Sequence, residues 1–221
     1  MAKNQSLLHS CPNNGLFVGD MCAQKLGNWC YPHMSIFKAF DYFNHVNRHG
    51  CGYVALANTL FLEYEGRPQE FERVFGYPMF KDGDLNFDRL ILDVYATTDL
   101  AGFNDGTDGF PIGTRDNDRA DIMRYFLRNK GVSVRTEANI NVTPDNFQTL
   151  AQDGYIVLGY RHGNMYDEKG NAHYINGGHA ILVTGVTEDG RFIVSSWGEK
   201  YYIDPQDIGT DDSFMRFQYN S

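Results

Sequence analysis

The chain has 221 residues and a net charge of −9, with 42% apolar and 14% aromatic residues. That is enough apolar material for a core without a disulfide framework or a structural metal. The acidic balance and the lack of a basic stripe exclude a phosphate-binding surface, so nucleic acid is not an expected partner. No apolar run approaches the ~20 residues of a membrane span.

Residues 1–33 are rich in Asn, Gly and Cys and show no clear period. Residues 1–43 read as a segment wrapping one domain that covers residues 1–221, with a core over 44–204 and a closing strand over 205–221. Within that segment, residues 34–44 carry four aromatics and fit a short helix or an extended stretch. The first residues, Met1 to Leu8, lack the apolar stretch of a secretory signal, so a cytoplasmic protein is expected; export with later loss of a signal stays open. Cys11, Cys22, Cys30 and His33 offer metal-binding side chains at irregular separations, and small half-buried apolar residues are the simpler reading.

Residues 51–65 read as a helix, with Val54, Leu56, Leu60 and Phe61 near the helical period and Gly66 as its stop. Pro68 opens a second helix that runs to Phe75 and is ended by Gly76. Residues 77–115 are rich in Asp and Gly and show few periodic signals, which predicts a long irregular stretch, either a lid or cleft wall or a solvated insertion. Asp82 to Asp93 partly imitates a calcium loop, without the Gly and the final Glu that such a loop requires, and a solvated turn is favoured. A helix over 117–130 is expected from Ile122, Met123, Phe126 and Leu127, ended by Gly131.

A short strand follows at Val132–Arg135. Thr143 and Pro144 form the N-cap and first position of a further helix reaching toward Gly154. The rest is β-rich: strands at Tyr155–Tyr160, His179–Val186, Arg191–Ser196, Tyr201–Ile203 and Phe214–Tyr219, with Glu188-Asp189-Gly190 as a hairpin loop. Helices first and an antiparallel sheet later make an α+β chain.

Cys51 stands apart from the other cysteines. It lies between Gly50 and Gly52 at a predicted helix start. Small neighbours admit another molecule to the sulfur. Unpaired N–H groups at a helix N-terminus favour a thiolate over a thiol and can hold an oxyanion. A small core residue at a helix start is the plain alternative. A nucleophilic thiol needs a base. His179, after Gly177-Gly178 and at the head of Ala-Ile-Leu-Val, is the best placed of seven histidines. Ser195 is expected to orient the imidazole, with Trp197 on the same strand face as a shield from water. A three-residue hairpin loop would put Ser195 opposite Val183 and out of reach, so a bulge or shifted turn is required.

Gly50-Cys51-Gly52, Gly178-His179-Ala180 and Ser195-Ser196-Trp197-Gly198 together resemble the papain-like cysteine peptidase fold. More narrowly, they resemble its bacterial branch related to bacteriocin leader-processing (double-glycine) peptidases. The resemblance covers about residues 44–204. It implies a helical N-terminal part with the nucleophile at a helix start and a C-terminal antiparallel sheet. It also implies a thiol-dependent hydrolase acting on a peptide or amide substrate, with no metal or organic cofactor. Cys51 would attack, His179 would move the proton, and Ser195 would stand where the family has Asn or Asp. Tyr53 replaces a usual Pro. His45, six residues before the nucleophile, stands where the family has its oxyanion-hole Gln, and Asn47 is a second oxyanion candidate. Two alternatives remain: a cell-wall amidase of the CHAP type, and a papain-like binding module that has lost catalysis through the Ser at position 195.

Overall fold

In the computed structural model, residues 50–99, 114–196 and 199–220 are described. Helix α1 (Cys51–Glu63) is buried at 12 of its 13 positions, as a helix with apolar residues around its whole circumference must be. It packs on the sheet strand that carries His179. Two of its polar side chains, Thr59 and Glu63, are tethered, whereas the buried Asn58 amide has no hydrogen-bond partner among the described residues. Thr59 Oγ1 meets the Tyr219 hydroxyl at 2.6 Å, and Tyr155 donates to Glu63 at 3.0 Å. The other Glu63 oxygen accepts from Arg67 at 2.9 Å.

Helix α2 (Pro68–Phe75) starts on its proline and stops at Gly76, whose φ of +80° suits glycine. Strands β1 (Phe80–Lys81) and β2 (Asp84–Leu85) form a small hairpin turned by Asp82 and Gly83, both at positive φ. Helix α3 (Phe87–Asp99) follows. The sequence expectation of a long irregular stretch therefore fails in part. Leu90, Ile91, Val94 and Tyr95 repeat at helical spacing and are fully buried, a period masked by the surrounding Asp residues. The stretch that partly imitates a calcium loop is divided between the hairpin turn and this helix. Asp93 there accepts from the Tyr77 hydroxyl at 3.0 Å and faces Lys130 Nζ at 3.4 Å.

Helix α4 (Asp116–Arg128) buries Ile122, Met123, Phe126 and Leu127. Helix α5 (Pro144–Leu150) has the expected Thr143 cap: its hydroxyl accepts from the Asn146 N–H, and the Asn146 side chain answers at the Thr143 N–H. This helix ends four residues before Gly154, earlier than its pattern suggests.

Six strands form one antiparallel sheet in the order β3-β8-β4-β5-β6-β7. They are β3 (Ser133–Ala138), β4 (Tyr155–Tyr166), β5 (Ala172–Val186), β6 (Phe192–Ser196), β7 (Glu199–Ile203) and β8 (Ser213–Asn220). A further β4–β7 pairing, Tyr166 opposite Tyr202, curls the sheet into a small barrel. Strand β8 inserts between β3 and β4 instead of closing an edge. The α+β reading with an antiparallel sheet is thus correct. Two cores result from strand alternation. Val157, Leu182, Met215 and Phe217 face α1 and its neighbouring helices, while Ile156, Leu158, Ile181, Val183 and Phe192 fill the barrel side. No helix among the described residues is long and apolar enough to cross a membrane.

Because Leu60 is fully buried in the central helix, Leu60→Ala should cost about 2–5 kcal/mol. Gln69→Ala, exposed on α2, should stay within about 0.5 kcal/mol of the parent. Urea unfolding of the two variants checks the contrast.

Candidate active site

Cys51 is the first residue of α1 and is half-buried. Gly50 precedes it as N-cap, and its carbonyl accepts the first helical bond from the Val54 N–H at 2.9 Å. The backbone N–H groups of this first turn have no acceptor within the helix, which is the anion-friendly environment expected from sequence. Gly52 serves a different purpose from the one expected. A Cβ there would lie 1.9 Å from Thr114 Oγ1, so its bareness seats Thr114 against the helix start and does not clear a path to the sulfur.

Cys51 and His179 line the same cleft, with a volume of about 430 Å³. His179 heads the apolar run of β5 and pairs across the ladder with Tyr160. The β4–β5 register shifts between Tyr160 and His162. Opposite this shift, Gly177 and Gly178 adopt φ of +104° and +93°. Added Cβ atoms at these glycines would meet nothing within 4 Å. The backbone conformation, not lack of space, requires glycine there. Both line the cleft beside His179.

The imidazole is 9% exposed. Burial disfavours its charged form and pushes its pKa down to about 4, so it is neutral at pH 7. Its Nε2 lies 2.7 Å from the hydroxyl of Ser196, which is fully buried. The third position therefore differs from the expectation, which named Ser195. The required irregularity is present: the β5–β6 register shifts between Val183 and Gly185, moving Ser195 to a place opposite Leu182. Leu182 faces the helices, so Ser195 does too. The next residue, Ser196, falls on the barrel side with Ile181 and His179. Trp197, His45, Asn47 and the three cysteines upstream of Cys51 lie outside the described residues.

Four residues at the cleft, Thr114, Asp116, Arg119 and Gly159, were not singled out from sequence. Arg119 on α4 is 3% exposed. It forms an ion pair with Asp116 one turn earlier, and its Nη1 donates to the Thr114 carbonyl at 2.7 Å. Burial pulls its pKa below the usual arginine range, against the opposing charges of Asp116 and Cys51. The Cys51 sulfur thus lies within electrostatic range of a buried guanidinium. Gly159 makes room for this arrangement, since a Cβ there would be 3.2 Å from Arg119 Nη2. The i, i+3 spacing of Asp116 and Arg119 is visible in sequence, but it is also the pattern of any solvated helix pair. Among the described residues, no group of three or more His, Cys, Asp or Glu side chains gathers to hold a metal.

No known family model matches the chain, and no curated protein matches it either.

The buried imidazole links stability to pH. Its folded pKa, about 4, lies below the ordinary 6.5. Between these values the unfolded chain binds the extra proton, so stability is full above pH 6.5 and falls as pH drops toward 4. His179→Gln keeps a polar partner for Ser196 and removes the titration. Relative to that variant, the parent should lose about 3 kcal/mol between pH 7 and pH 4. Chemical denaturation at both pH values measures the difference.

Proposed function

We propose that the protein is a thiol-dependent hydrolase of peptide or amide bonds, in the manner of the papain-like cysteine peptidases that its motifs resemble. The observation that carries this reading is that Cys51 and His179 line one cleft, with Nε2 of His179 hydrogen bonded to Ser196. The order of parts agrees with it: a thiol at a helix start, then a base and its partner on adjacent antiparallel strands.

The chemistry runs as follows. With Nε2–H donating to the Ser196 hydroxyl, the lone pair of His179 sits on Nδ1. Because the imidazole is neutral at pH 7, His179 is able to take a proton from Cys51 as the sulfur attacks. The new Sγ–C bond makes a tetrahedral oxyanion, held by the Cys51 backbone N–H and the first turn of α1. Collapse breaks the C–N bond. The proton on His179 goes to the leaving amine, and a thioester remains. Water, activated by the same imidazole, cleaves the thioester to release the acid and restore the thiol.

A second reading has one observation in its favour. The partner of His179 is an uncharged hydroxyl, which orients the ring without stabilising an imidazolium. A module that keeps the fold for binding alone would tolerate this.

The test is alkylation and turnover. Iodoacetamide and an epoxide inhibitor of cysteine peptidases should modify Cys51 faster than Cys11 or Cys22, with a rate that depends on pH, and His179→Ala should abolish the advantage. Turnover of an unspecific fluorogenic peptide mixture should fall about 10²–10⁴-fold in His179→Ala. Ser196→Ala should lower it more than Ser195→Ala, which removes a hydroxyl facing the helices. Labelling of Cys51 no faster than of the other thiols would leave only the binding module.

A further inference from the structure

The walls of the cleft carry the opposite charge to the chain as a whole. The sequence has 19 Lys and Arg against 28 Asp and Glu. The cleft is nevertheless lined by Arg115, Arg119 and Arg161, with Asp116 as its single acidic side chain among the described residues. Asp116 is already engaged by Arg119. Arg119 itself is buried, and its Nε has no hydrogen-bond partner among the described residues.

Arg115 and Arg161 are exposed, and neither forms an ion pair among the described residues. Arg161 is nonetheless held in place. Its backbone N–H donates to Asp212 Oδ1 at 2.6 Å, and its Nε donates to the Asp211 carbonyl at 3.1 Å. The other Asp212 oxygen accepts from the Gly209 N–H at 2.7 Å, and Asp212 is not a lining residue. Among the described residues, nothing engages the two terminal nitrogens of Arg161, which can then serve a ligand. A guanidinium presents its N–H groups in a planar fork that matches a carboxylate.

We infer that the cleft of Cys51 and His179 selects a substrate bearing a carboxylate close to the carbonyl under attack, held by Arg161 and Arg115 at the rim. This takes the thiol-hydrolase reading for granted in speaking of a substrate, but recognition of the anion does not depend on turnover. Two sources share this chemistry: an acidic side chain beside the scissile bond, and the free C-terminal carboxylate of a short peptide.

The first experiment compares two alkylating agents on the intact protein, iodoacetate, which is anionic, and iodoacetamide, which is neutral. Modification of Cys51 is followed by peptide mass spectrometry, with glutathione as the reference thiol. At low salt, the iodoacetate-to-iodoacetamide rate ratio at Cys51 should exceed that of glutathione roughly threefold or more, and should shrink in high salt as the rim charges are screened. Arg115→Gln combined with Arg161→Gln should bring the ratio back toward that of glutathione. A ratio in the parent no higher than that of glutathione, or one the double variant leaves unchanged, overturns the inference.

The second experiment distinguishes the two sources by comparing cleavage of matched peptides, Glu against Gln beside the bond and C-terminal acid against amide. Faster cleavage of either acidic form supports the inference and names the source, while equal cleavage of all four overturns it. If iodoacetate is favoured but no peptide is cut, the hydrolase reading fails and anion recognition by the cleft stands.

Discussion

A helix that is apolar on every side has no face that tells it how to rotate. Helix α1 is such a helix, and the position of Cys51 depends on how it is fixed. Greasy contact with Val157, Leu182 and Met215 holds α1 between the sheet and its neighbouring helices, but contact of that kind is nearly indifferent to rotation. The buried polar side chains supply the missing specificity. Thr59 bonds to Tyr219 on β8, and Glu63 bonds to Tyr155 on β4. Rotating or sliding α1 by one residue would break both and strand polar groups in the core, at about 1–3 kcal/mol each. Thr114 packed on Gly52 adds a steric stop at the other end. Together these contacts fix the position of Cys51 on the wall of the cleft.

The imidazole is positioned by a second device, the curl of the sheet. The pairing of β4 with β7 closes the barrel side, and the inward-facing residues of β5 and β6 are dried by that closure. His179 and Ser196 both lie on this side. The same curl therefore accounts for the low pKa of the ring and for the identity of its partner. Two irregularities in the β5 ladder make the arrangement possible. One, at Gly177 and Gly178, interrupts regular pairing beside the cleft. The other, at Thr184, shifts β6 by one residue.

Local chemistry made much of this legible. Pro68, Gly76, Thr143 and Pro144 each act within one turn of chain, and the helix ends they mark fall where the pattern puts them. His179 stands out for the same reason, since the two glycines before it mark an unusual backbone. Helix α3 was hidden because its apolar period, Leu90 to Tyr95, is set among acidic residues that suggest a loop. The exchange of Ser195 for Ser196 was hidden because a strand's facing depends on its partner's register, and one inserted residue reverses it. Arg119 was hidden because burial of a cation depends on an element far along the chain: Gly159 on β4 makes its room, while the nearby Thr114 carbonyl accepts its hydrogen bond.

The choice of a hydroxyl partner for His179 has a consequence for how charge is divided across the cleft. A carboxylate in that dry place would favour the imidazolium and raise the ring's pKa, at the cost of burying a charge. Ser196 imposes no such cost and leaves the ring neutral. Positive potential at the sulfur then comes from the other side, from the first turn of α1 and from the buried guanidinium of Arg119. On the hydrolase reading, the base and the cation are separate residues on separate elements. His179 needs only to accept and return a proton, while fixed charges that never titrate at neutral pH stabilise what forms on sulfur and oxygen. Such a division lets a weakly supported imidazole serve, because the electrostatic work does not rest on its becoming charged beforehand.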